Sequence, residues 1–359
     1  MKRILLVIEH LGPGGAERQI CGLAVMLTKA GYPCRLITYV ENQFYETFLK
    51  ENGVDYKFVP ELWNIKTCVF NAVKYVQEYN PDVVISYLPS ANKRMCLAKL
   101  FFKARLVVSE RNNNVCITRD DRIRFNLYRI ANAIVPNSNC QGEFIRKNFP
   151  FLAAKVRPII NYVDENRFSP AEKPPHNDIA TVITVARYTP QKNVLTYLNA
   201  IRAVKTSGIK VHFDWYGDKS YNPSYYAEIE KTCKLLDISD YIMLHEPNKN
   251  IEDVYHGANI FCLPSLYEGY PNVLVEAMAC GLPVICSNRY ENPYIVADGI
   301  NGYLFDPENV DDIVKAIRKV VSLTPEEKHE IGKRNRKKCL ERNAEKTFLQ
   351  SYVNLIESL

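Results

Sequence analysis

Short apolar runs alternate with helix-length amphipathic stretches along nearly the whole of this 359-residue chain. Residues 4–8 are followed by a helical pattern over about 16–30, closed by Gly31, and then by a second apolar run at 35–39. Runs at 83–87, 106–109 and 133–136 follow, again with helical stretches between them. Neighbouring parallel strands need a crossover long enough to hold a helix, so this alternation predicts parallel sheets covered on both faces. The pattern breaks at 168–178, which holds three prolines and no apolar periodicity, and restarts with runs at 181–186, 211–216, 241–244, 260–263 and 283–286. The expected fold class is therefore α/β, with two Rossmann-like, doubly wound parallel-sheet domains. They are expected at 1–165 and 181–343, with a linker at 166–180.

The length suffices for two domains, each with its own core. A hydrophobic content of 47% and a charged content of 24% belong to a soluble globular chain. No apolar run approaches the ~20 residues of a membrane-spanning helix. The apolar core behind Met1-Lys2-Arg3 is too short for a secretory leader and reads as a first buried strand. None of the eleven cysteines forms a C-x-x-C pair, and Cys262 and Cys286 lie inside apolar runs. Free thiols in a reducing cytoplasm are expected.

The net charge of +6 is unevenly spread. Residues 93–147 carry twelve Lys or Arg against four Asp or Glu, interleaved with Leu97, Leu100, Phe101 and Phe102. An anionic membrane surface or an anionic acceptor would suit such a segment; an ordinary solvated face fits it equally. No nucleic-acid-binding motif accompanies the charge.

The segment 268–281 reads E-G-Y-P-N-V-L-V-E-A-M-A-C-G. Pro271 suits a first helical position and Gly281 the position just past the end, which predicts a short helix over 272–280. Glu276 is the sole charged side chain between Glu268 and Arg289, and it sits among Val275, Ala277 and Met278. An unpartnered carboxylate there would cost several kcal/mol. Either a protein cation compensates it or a polar ligand reaches it. Asn272 and Glu276 share a face, and the helix start offers N–H donors to an anion behind Gly269 and Tyr270. Donors for a phosphate beside carboxylates for hydroxyls point to a sugar nucleotide.

Two glutamates separated by seven residues, with Gly-Tyr-Pro-Asn between and Glu-Ala-Met at the second, resemble the signature of retaining glycosyltransferases of family four. That glycogen-synthase-like group has the GT-B fold, two Rossmann-like domains facing a central cleft. The resemblance implies that Glu268 holds hydroxyls of the transferred sugar and Glu276 the ribose diol. It also implies that 344–359 crosses back onto the first domain. Gly12-Pro-Gly14-Gly15-Ala-Glu-Arg, between a strand and a helix, is similar to the family's G-G-x-E-R loop at the donor phosphate. Thr189 reads as an N-cap and Pro190 as a first helical residue, so Arg187 and Lys192 project near a helix start. By resemblance, Arg187 and Lys192 clamp the diphosphate. Asn161-Tyr-Val-Asp164 resembles an interdomain N-G-V-D hinge, with Tyr162 where glycine is usual.

One departure concerns Ser109-Glu110-Arg111, where many relatives carry a histidine at the third position. Glu110, Arg111, Asn112 and His10 stand as candidate contacts to sugar or acceptor. No histidine cluster or D-x-D element implies a metal, and no cofactor is expected beyond the donor itself. The resemblance implies a hexosyltransferase of polysaccharide biosynthesis; the thiols suggest the cytoplasm, and the basic segment suggests a peripheral place at the inner face of the plasma membrane. It would move a hexose or N-acetylhexosamine from a nucleotide-diphosphate sugar, by preference UDP-linked, to a glycan or lipid-linked saccharide. The alternatives are a sugar-nucleotide epimerase of similar fold and a non-catalytic nucleotide-sugar-binding protein.

Overall fold

The computed structural model describes residues 1–64, 67–173 and 179–359. Residues 174–178, within the expected linker, lie outside the described residues. The chain forms two compact units, residues 1–162 with 345–359, and residues 163–344. The crossing falls after Tyr162, ahead of the boundary expected at 165.

The first unit holds β1 (Ile4–Val7), β2 (Cys34–Thr38), β3 (Asp55–Phe58), β4 (Val83–Tyr87), β5 (Arg105–Glu110) and β6 (Ala133–Pro136). They form one sheet in the order β3-β2-β1-β4-β5-β6, every neighbouring pair parallel. Leu6 and Ile85 lie in one apolar cluster and Leu5 and Val84 in another, so the strands other than β3 bury both faces. That is why the strands read as unbroken apolar runs. The helix Glu345–Ser358 belongs to this unit. Its Tyr352 hydroxyl lies 2.6 Å from that of Tyr87, and Lys2 Nζ donates to the Ile356 carbonyl at 2.7 Å.

The second unit repeats the topology with β7 (Ala180–Val185), β8 (Val211–Tyr216), β9 (Ile242–His245), β10 (Ile260–Leu263), β11 (Val284–Ser287) and β12 (Tyr303–Phe305). The order is β12-β11-β10-β7-β8-β9, again all parallel. In both sheets the strand order reverses once, between β1 and β4 and between β7 and β10. Open α/β sheets bind ligands beyond the carboxyl ends of their strands at such a reversal. Two edge strands, β3 and β12, were absent from the sequence expectation. The side chains of β3 are largely exposed, so it carries no apolar run to betray it.

Candidate active site

In the second unit the chain leaves β7 and β10 side by side, and the following loops are laced together. The Leu266 N–H donates to the Gln191 carbonyl at 2.9 Å, and the Gln191 amide donates to the Tyr267 carbonyl at 2.8 Å. This lacing sets Lys192 against Glu268, with Nζ to Oε1 2.6 Å, and both side chains are about nine-tenths buried. The sequence-derived roles separated these two residues, one for phosphate and one for sugar. The structure makes them partners.

Lys192 does not sit on a regular helix. Pro190–Lys192 is a single 3-10 turn, Asn193 follows in the left-handed region at φ 61°, and the α-helix Val194–Thr206 starts after it. Thr189 precedes the turn, but its side chain caps nothing; its buried hydroxyl has no partner. Asn tolerates the left-handed conformation better than most residues, and its amide donates to the Pro307 carbonyl at 2.6 Å. Arg187 turns toward the loop after β8, its guanidinium 4.6 Å from the Tyr221 ring centre.

The helix Asn272–Ala279 starts at the expected residue and ends one short of the expected 280, with Pro271 at the cap position and not the first helical one. No side chain caps this end. Six of its eight residues are buried, Leu274 to Ala279, which gives a short helix the apolar burial that propensity alone would not supply. Glu276 is 3% exposed and accepts from the Tyr255 hydroxyl at 3.0 Å. Arg336 donates to the carbonyls of Ala279 at 2.7 Å and Glu165 at 3.0 Å. Tyr270 is buried, its hydroxyl receiving the Asn343 amide at 2.5 Å, and burial pushes its phenol well up. Gly269 and Asn272 are half-buried beside it.

Sequence reasoning missed Gln191 and Tyr255, which carry no motif. Gly217 was legible in principle as a glycine closing a strand. A Cβ there would collide with the Ala186 carbonyl oxygen, which also receives the Trp215 indole N–H at 2.8 Å.

In the first unit, the loop after β1 leads into the helix Gly15–Lys29 with Gly14 at its cap position. Glu17 folds back over this loop, and a Cβ on Gly14 would strike its carboxylate. Burial raises the Glu17 carboxyl, against a backbone hydrogen bond and His10. His10 Nδ1 accepts the Gly12 N–H at 3.0 Å and lies 3.5 Å from Glu17.

Glu110 and Arg111 do not project as sugar contacts would. Glu110 is 2% exposed, within 3.3 Å of Arg124, and receives the Tyr128 hydroxyl. Burial raises its carboxyl, partly offset by Arg124 and Tyr128. Arg111 is 5% exposed, stacks 4.5 Å from the Tyr87 ring centre and donates to Ser109 and Asn161. Two charged side chains at the end of a central strand are pulled inward by partners from other elements. Asn112 is exposed.

Among the described residues no group of three or more His, Cys, Asp or Glu is arranged to hold a metal ion. No described helix is long and apolar enough to cross a membrane. None of the eleven cysteines is in a disulfide, and nine of them are buried. Within the basic segment, Phe102 is buried, whereas Leu97, Leu100 and Phe101 are exposed.

These sheets and their switch-point loops define a two-domain glycosyltransferase of the GT-B type. The family description Glycosyltransferase Family 4 matches residues 13–167, and Glycosyl transferases group 1 matches residues 165–338. The chain belongs to this family of glycosyltransferases. An alpha-1,4-N-acetyl-D-galactosaminyltransferase of Campylobacter jejuni, named for a GalNAc-containing PP-undecaprenol substrate, is 25% identical over 90% of this chain and 89% of its own. The amylovoran biosynthesis glycosyltransferase AmsD of Erwinia amylovora is 23% identical over 85% and 86%. In structure, Anabaena HepE in complex with UDP aligns with a TM-score of 0.87 at 19% identity, over 99% of this chain and all of that one.

Proposed function

We propose that the enzyme is a retaining transferase that moves a hexose or N-acetylhexosamine from a UDP-sugar to a lipid-linked saccharide. The observation that carries this is the arrangement at the β7/β10 reversal. The Lys192 and Glu268 pair stands there, just ahead in the chain of the uncapped helix start at Asn272, and Arg187 follows the same strand β7. A UDP-bound structural neighbour and a relative named for a PP-undecaprenol substrate support the choice of donor and acceptor.

In this scheme the acceptor hydroxyl oxygen bonds to the anomeric carbon on the face from which the diphosphate departs. The bond from that carbon to the phosphate oxygen breaks, and the hydroxyl proton passes to the departing phosphate. Arg187, Lys192 and the positive end of the helix Asn272–Ala279 stabilise the charge gathering on the diphosphate. Glu268, oriented by Lys192, accepts from sugar hydroxyls. Glu276, oriented by Tyr255, accepts from the ribose diol. These cations and dipoles supply the charge compensation without a metal.

Peripheral attachment to an anionic bilayer at the cytoplasmic face is part of the same proposal. It is supported by exposed Leu97, Leu100 and Phe101 interspersed with Lys99 and Lys103.

A thermal-shift screen of UDP- and GDP-sugars tests the donor, since a ligand of the folded state stabilises it in proportion to affinity. Stabilisation by UDP-sugars with release of UDP in the presence of acceptor is expected. A response to GDP-sugars alone would overturn the choice of nucleotide. Conversion of the donor to an isomer would indicate an epimerase.

A further inference from the structure

Beyond the loop after β1, the carboxyl ends of β2 and β3 enclose a cavity of about 250 Å³ that the donor machinery does not use. Its walls come from residues 41–43 and 46 after β2, Lys50 on the helix Glu46–Glu51, and Tyr56, Lys57 and Phe58 of β3. Its volume lies below the ~300–1,000 Å³ of clefts that take drug-sized ligands.

The chemistry of this lining is selective. Glu41 and Glu46 are matched by Lys50 and Lys57, and Lys50 Nζ lies 2.5 Å from Glu46 Oε1. Such a balance offers no net attraction to a phosphate or a lipid headgroup. Gln43 and Asn42 each carry one acceptor and an NH₂ donor. The Asn42 oxygen takes the Phe44 N–H at 3.2 Å, which orients the amide. The tyrosine of β3 is anchored through its hydroxyl, 2.9 Å from Thr38, and Phe58 leaves 40% of its surface exposed. Amide and carboxylate groups around aromatic faces match a neutral polyol that has hydroxyl edges and an apolar C–H face.

The cavity also adjoins the glycine loop. A Cβ on Gly12 would come within 3.2 Å of the Asn42 amide nitrogen and 3.0 Å of His10 Nδ1. Because β1, β2 and β3 are parallel neighbours, their following loops emerge at one edge of the sheet. A ligand in the cavity is thereby placed next to His10 and Gly12.

We infer that this cavity is a saccharide subsite of the acceptor, holding one neutral sugar ring next to the loop that carries His10 and Gly12. The inference rests on the transferase reading given above and adds the acceptor's own contact residues. Phe58 stacks on the ring, and Gln43 and Asn42 bind its hydroxyls.

Saturation-transfer NMR on the full chain tests this, with the methyl glycosides of glucose, galactose, N-acetylglucosamine and N-acetylgalactosamine as probes and UDP titrated separately. At least one glycoside should be saturated by the wild type. Its affinity should fall roughly five- to tenfold in Phe58→Ala and in Gln43→Ala, the loss of one ring contact or hydrogen bond. UDP affinity should stay unchanged in both. Equal glycoside saturation in the variants, or none from any glycoside with the wild type, overturns the subsite. Failure of the wild type to bind UDP counts against the donor assignment instead, so the two outcomes are separable. Gln43 is exposed, so its variant keeps the test open should Phe58→Ala disturb the edge strand.

Discussion

Lys192 Nζ lies 2.6 Å from Glu268 Oε1, and the two side chains meet because the loops after β7 and β10 are hydrogen-bonded through Gln191. A cation meant for phosphate and a carboxylate meant for sugar are thus coupled before either meets a ligand. Each charge-assisted bond of this kind is worth about 1.5–3 kcal/mol. Lys192→Ala should cut turnover roughly ten- to a hundredfold, both by losing a phosphate contact and by freeing the Glu268 carboxylate. Combining it with Glu268→Gln should cost less than the sum of the two single losses, as for residues acting as a unit. Additive losses in steady-state kinetics would separate them. Arg187→Ala, outside the pair, should lower turnover by a similar factor and add independently of Glu268→Gln.

The two glutamates should respond differently to UDP. Glu276→Gln keeps the volume and one acceptor oxygen but drops the charge, and should weaken UDP by roughly 1–2 kcal/mol. Tyr255→Phe, which removes the 3.0 Å donor to Glu276, should weaken it too, through loss of orientation. Glu268→Gln should leave UDP affinity near wild type while lowering turnover and blurring the choice of donor sugar. Calorimetric titration with parallel melting curves checks this. Unchanged UDP affinity with a lowered melting temperature in Glu276→Gln would make that residue structural.

Burial raises the Glu110 carboxyl despite Arg124 and Tyr128. A carboxyl with a raised folded pKa contributes stability that is fully present below its unfolded value and is lost as pH climbs through the folded value. Relative to Glu110→Gln, which does not titrate, the wild type should therefore gain less from its native residue at pH 7 than at pH 4. Denaturant midpoints of both proteins at the two pH values measure the difference. A gap that widens with rising pH would mean that Arg124 dominates and the carboxyl is held down.

Tyr162, where the family's hinge segment has glycine, is clamped within the first unit. Its N–H donates to the Gln19 side chain at 3.0 Å, its carbonyl accepts from that side chain at 2.9 Å, and its ring packs 5.1 Å from Phe348. A Cβ on Gly22 would strike this ring. Gly22→Ala should cost about 1–3 kcal/mol by overpacking, and adding Tyr162→Ala should relieve part of that cost. Absence of any rescue in thermal melts would mean that another neighbour makes Gly22 necessary.

The exposed Leu97, Leu100 and Phe101 with their flanking lysines predict salt-sensitive binding to vesicles rich in anionic lipid. Flotation should show binding at low salt that weakens as the Debye length shrinks below ~8 Å. Lack of flotation at low salt would leave the acceptor to be met without a bilayer.

The order of the strands other than the edge strands β3 and β12 was legible in the sequence because a strand buried on both faces must be an apolar run, whatever it packs against. The short helix before Gly281 was legible too, since proline and glycine act on their own backbone. Residues 268–276 drew attention to themselves because a carboxylate in an apolar run needs a partner. What no local pattern could reveal was which partner each charge would take. Glu110 and Arg111 look like a projecting pair in sequence, yet Arg124, Tyr128 and Asn161 draw them inward from other elements. Lys192 and Glu268 are seventy-six positions apart, and Tyr255 precedes Glu276 by twenty-one. Apolar burial is nearly indifferent to the identity of its neighbours, so periodicity encodes it. A hydrogen bond or ion pair needs one particular atom within about 3 Å, and that distance is decided only when the sheet brings remote loops together.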